Sequence, residues 1–87
     1  MSKEKETAKD ELWKAARAVT TLKDAHEALT KVMPAPTSDP AVLRDFYLRS
    51  AAVYANVAEL DRGHHHEALY WASRERAKGE QIDPTGT

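Results

Sequence analysis

Eighty-seven residues leave room for one domain and a modest core. The absence of cysteine excludes disulfides, thiolate nucleophiles and thiolate metal sites, and agrees with a cytoplasmic protein. Thirteen basic against fourteen acidic residues give a formal net charge of −1, without the basic excess on which phosphate-backbone binding draws.

The chain opens with the charged run Met1-Ser2-Lys3-Glu4-Lys5-Glu6, and no apolar run follows it. Neither a signal peptide nor a membrane span is expected. Residues 1–7 read as a flexible lead-in, with Thr7 and Asp10 spaced as in a capping box. From there Ala8, Leu12, Ala15, Val19, Leu22, His26, Leu29 and Met33 recur with alternating steps of four and three. That spacing lines up side chains on one stripe of a helix and predicts a single long helix over residues 8–33, with no Gly or Pro to stop it.

Pro34 ends this element because it lacks a backbone donor and pushes Met33 out of helical geometry. Asp39 followed by Pro40 predicts an N-cap and first turn, so a second helix is expected over residues 40–61. Its apolar set, Leu43, Phe46, Tyr47, Val53, Tyr54, Val57 and Leu60, forms a broad stripe suited to a middle helix with two neighbours. Gly63 is expected in a left-handed turn, and a third helix over residues 65–80, buried through Ala68, Leu69, Trp71 and Ala72. Residues 83–87 are expected as a flexible tail. The predicted fold class is all-α: one domain over residues 8–82, a three-helix up-down-up bundle with two long helices and a shorter third.

From Ser50 to Pro84 the chain resembles one tetratricopeptide helical hairpin in outline, with Gly63 and Ala68 at that repeat's glycine-to-alanine separation and Pro84 after the second helix. The repeat's large aromatic and Leu-Gly positions are not filled and no second copy is present, so the resemblance implies hairpin geometry and no family function.

Few residues carry chemistry-specific signals. His26 stands in an apolar seam, where burial would oppose its protonation, and is the candidate pH switch. The alternative places it at the seam's rim, bonded to Ser50 or a tyrosine hydroxyl. His64-His65-His66-Glu67 has metal-ligand residue types, but consecutive helical residues point about 100° apart and cannot converge on one ion. No metal, cofactor or catalytic residue is predicted. Arg74, Arg76 and Lys78 follow Trp71 and form a basic cluster, interrupted by Glu75 and Glu80, at the helix end where cations are favoured anyway.

Leu48 is expected opposite the main stripe of the second helix, and Trp13 beside rather than on the seam of the first. Together with Tyr54 and Trp71 they are the candidate interface residues. The expected function is a small, non-enzymatic interaction or regulatory module that binds another protein or itself as a homodimer. A small DNA-binding regulator using the helix pair around Gly63 is the alternative. Metal or pH sensing through His26 and His64–His66 is a third.

Overall fold

The computed structural model describes the backbone of residues 2–85 and the side chains of residues 9–85. It is all-helical, with four α-helices rather than three: α1 (Ser2–Ala18), α2 (Leu22–Val32), α3 (Pro40–Leu60) and α4 (His65–Gln81). A 3-10 turn, Arg62–His64, joins the last two. No described helix is long and apolar enough to cross a membrane.

The expected helix over 8–33 is broken at Val19-Thr20-Thr21. Thr21 adopts an extended conformation (φ −124°, ψ 155°), and its hydroxyl accepts the Asp24 N–H at 3.2 Å as an N-cap. Two consecutive β-branched threonines weaken the continuing helix, and a threonine three residues before Asp24 starts a new one. The chain folds back there, so Lys9 and Val32 line the same crevice. The apolar seam is therefore shared between two helices. On α1 the buried residues are Trp13 and Ala16, one position out of step with the expected Leu12 and Ala15. Met33, expected within the seam, is 61% exposed. The backbone is already helical from Ser2, so Thr7 lies inside α1, and the side chains of residues 1–8 lie outside the described residues.

Around α3 the other helices are arranged by a few firm contacts. Leu22 meets Asp61 and His26 meets Tyr54, so α2 runs antiparallel to α3. His65 meets Ala58, Trp71 meets Tyr54 and Gly79 meets Leu48, so α4 is antiparallel to α3 as well. One core runs through Trp13, Leu22, Leu29, Val32, Phe46, Val53, Tyr54, Val57 and Ala68. Each large apolar side chain so buried contributes roughly 1.5–3 kcal/mol. The Cα atoms fill a slab of 39 × 31 × 15 Å, thin enough that every helix keeps a solvent face.

Two glycines differ from expectation. Gly63 sits in the 3-10 turn without a left-handed backbone. Gly79, which as a sequence feature only weakens the last turn of α4, is buried against α3. A Cβ there would lie 2.8 Å from Leu48 Cδ2 and 3.3 Å from Tyr47 Cβ. Its missing side chain allows the two helices to approach. The tail holds a turn, in which Thr85 N–H and Oγ1 both donate to Asp83 Oδ1, at 2.9 and 2.6 Å; residues 86 and 87 lie outside the described residues.

Candidate functional site

Because α2 and α4 both pack antiparallel on α3, they run alongside each other and leave a cleft between them floored by α3. Its volume is about 320 Å3. The wall from α2 is His26, Leu29, Thr30 and Met33; the floor is Phe46, Tyr47, Ser50 and Tyr54; the wall from α4 is Trp71, Arg74, Glu75 and Lys78. Each set repeats at three or four residues, so one stripe of each helix faces the same space.

At its inner end the cleft is aromatic. His26 Nδ1 and the Tyr54 hydroxyl are hydrogen-bonded at 2.8 Å. The His26 ring meets Trp71 edge-on at 5.0 Å between centroids, and Trp71 stacks on Tyr54 at 6.0 Å. Burial pushes the Tyr54 phenol up to about 12, with the nearby Glu75 carboxylate adding to the shift and Arg74 opposing it. At neutral pH the phenol therefore keeps its proton.

Two buried polar residues also line the cleft. Ser50 is 1% exposed and Glu75 8%. Ser50 Oγ and Glu75 Oε2 are the buried side-chain oxygens without a hydrogen-bond partner among the described residues. A buried acceptor left unpaired costs roughly 1–3 kcal/mol, and more when charged. The other Glu75 oxygen, Oε1, accepts from Arg74 Nη1 at 3.2 Å. Arg74 also lies over the Trp71 ring at 5.0 Å, and the Lys78 ammonium lies 5.4 Å from the Tyr47 centroid. These cation–π contacts hold two positive charges at the rim without neutralising them.

Ser50, His26 and Glu75 bring the residue types of a catalytic triad to one cleft, but not its bonds. Nδ1 of His26, the atom that a triad acid would hold, is taken by Tyr54. Ser50 Oγ has no base beside it.

A second, larger groove of about 380 Å3 lies between α1 and α3, lined by Trp13, Arg17, Arg49, Ala52, Val53 and Asn56. Of its lining, Arg49 pairs with Asp45 at 3.0 Å and lies 5.3 Å over Trp13. Among the described residues lining it, none holds a buried unpaired oxygen.

The four candidate interface residues do not form a common outer surface. Trp13 is 3% exposed and packs 6.1 Å from Phe46 in the core. Tyr54 is buried beneath the cleft. Leu48, expected on the far side of α3, lies against Gly79 because α4 packs there. Trp71, half-exposed like Leu48, lines the cleft. His26 is half-buried at the seam's rim with a tyrosine partner, which matches the alternative reading of that residue.

The histidine run is divided among different partners. His64 Nδ1 donates to Asp61, and its pKa is raised mainly by that hydrogen bond. His65 Nδ1 donates to the Ala58 carbonyl at 2.7 Å. Among the described residues no group of three His, Cys, Asp or Glu side chains could hold a metal ion. Of the basic cluster, Arg74 and Lys78 are turned onto cleft aromatics rather than outward as a phosphate-binding row.

Sequence reasoning passed over Glu75, reading it as an interruption of the basic cluster, and gave Ser50 no role beyond a candidate partner for His26. Glu75 falls three residues after Ala72 and four from both Trp71 and Gly79, the spacing of an inward stripe that also holds Ala68. Comparison of the chain with family models, curated proteins and solved structures finds no match.

Proposed function

We propose that this chain is a non-enzymatic helical binding module, and that it binds through the cleft between α2, α3 and α4 rather than through an apolar outer face. The observation that carries the reading is that Ser50 and Glu75, which each hold a buried oxygen without a partner among the described residues (Oγ and Oε2), line one open, aromatic-walled cleft. Buried polar atoms are nearly always paired with protein, water or a ligand, so two exceptions on residues lining one cleft support a bound group there. A site with a few convergent polar groups among aromatic walls is the general form of a ligand pocket, and about 320 Å3 is at the small end of that range. The engagement of His26 Nδ1 by the Tyr54 hydroxyl supports binding over triad-type catalysis.

A fragment set titrated against isotope-labelled protein tests this. The expected result is amide and indole shifts clustered on Ser50, Tyr54, Trp71 and Glu75. Shifts clustered instead on the exposed apolar residues Leu60, Leu69 and Tyr70 would overturn it, as would no saturable shift from any fragment.

A further inference from the structure

The charges around the cleft are specific enough to define what it takes. Arg74 and Glu75 form an ion pair at 3.2 Å, and among the described residues Glu75 Oε2 has no partner and one of the guanidinium's five donors is engaged. Lys78 adds a second cation, 5.4 Å from the Tyr47 ring and without an ion-pair partner among the described residues. A purely cationic ligand would meet two cations against one carboxylate. A purely anionic ligand would leave Glu75 Oε2 unpaired and close to its own charge. A ligand with a positive donor and a negative acceptor next to each other satisfies both, since it presents the reverse of the Arg74–Glu75 pair. The remaining space, walled by Tyr47, Tyr54 and Trp71, suits an apolar or aromatic body.

We propose that the cleft binds a small zwitterion of the amino-acid type with an apolar side chain, its ammonium facing Glu75 Oε2 and Ser50 Oγ and its carboxylate facing Arg74 and Lys78. This rests on the cleft being the binding site.

Three probes with one ring separate the possibilities: L-phenylalanine, which has both charged groups; phenylacetate, which lacks the ammonium; and 2-phenylethylamine, which lacks the carboxylate. Titrated at neutral pH and followed by the shifts of Ser50, Trp71 and Glu75, L-phenylalanine is expected to bind at least about tenfold tighter than either half-ligand. Glu75→Gln should narrow its advantage over phenylacetate, and Lys78→Met its advantage over 2-phenylethylamine, with folding of each checked by circular dichroism. A half-ligand binding as tightly as L-phenylalanine overturns the proposal, and so does L-phenylalanine shifting none of these residues. If a fragment of another class occupies the cleft, the zwitterion is overturned while the cleft stands; if nothing occupies it, both fall.

Discussion

The Asp61 carboxylate, at the end of α3, accepts the backbone N–H of Leu22, the first residue of α2, at 2.9 Å across 39 positions of sequence. The same Oδ2 also receives His64 Nδ1–H at 3.0 Å. One side chain therefore satisfies an otherwise orphaned helix donor and fixes α2 to the α3–α4 connection.

This cap has a pH signature. Asp61 is held below the ordinary carboxylate range, chiefly by the Leu22 N–H and then by His64. Its contribution to stability is therefore present above about pH 4 and lost as pH falls through the lowered value. His64 is raised, so its contribution is complete below about pH 6.5 and lost as pH rises through the raised value. Thermal melts across pH should show both losses, with the best cap between them. Asp61→Ala should lower the melting temperature and flatten the acid limb; Asp61→Asn, which retains an acceptor, should cost less.

Tyr54 supplies a second titration. Its phenol is raised to about 12 by burial and by Glu75. A raised acid group adds stability that is complete below its unfolded value of about 10 and disappears as pH rises through the folded value. Ultraviolet titration of the three tyrosines should find one ionising near pH 12 or only on unfolding. Tyr54→Phe should remove that phase and cost about 1 kcal/mol through the lost bond to His26.

Ser50→Ala removes a buried hydroxyl that has no partner and places a better helix former within α3. The variant should be about 0.5–1 kcal/mol more stable in urea unfolding. A loss of more than about 1 kcal/mol would show that the hydroxyl is satisfied in the free protein, and the cleft would lose half of its unpaired polar set.

Gly79→Ala sets two effects against each other. Helix propensity gains up to about 1 kcal/mol, whereas the added methyl meets Leu48 at 2.8 Å and Tyr47 at 3.3 Å. Overpacking of this kind costs roughly 1–3 kcal/mol, so net destabilisation is expected. Because Tyr47 also floors the cleft, nuclear magnetic resonance shifts should spread from Gly79 to Lys78 and Ser50.

The legible parts of this fold were those set by local chain chemistry. Pro40 begins α3 and the Arg62-Gly63 connection divides it from α4, both within a residue or two of expectation. The α1–α2 break was hidden because the apolar spacing continues through Val19 and Leu22 while the chain reverses. Its signal was Thr21 three residues before Asp24, a cap without the usual glycine or proline. The cleft was illegible for a different reason. Glu75 sits between Arg74 and Arg76, a pattern that describes a solvated face. Its burial comes from the tight α3–α4 approach at Gly79, a long-range contact that no local window contains.

At eleven residues, α2 is too short to persist as a helix in water by itself. One wall of the cleft therefore exists only while that segment is docked, and releasing it means local melting rather than a hinge swing. A molecule bound there as proposed would act as the clasp that shifts the helix–coil balance of this single short segment toward the ordered form.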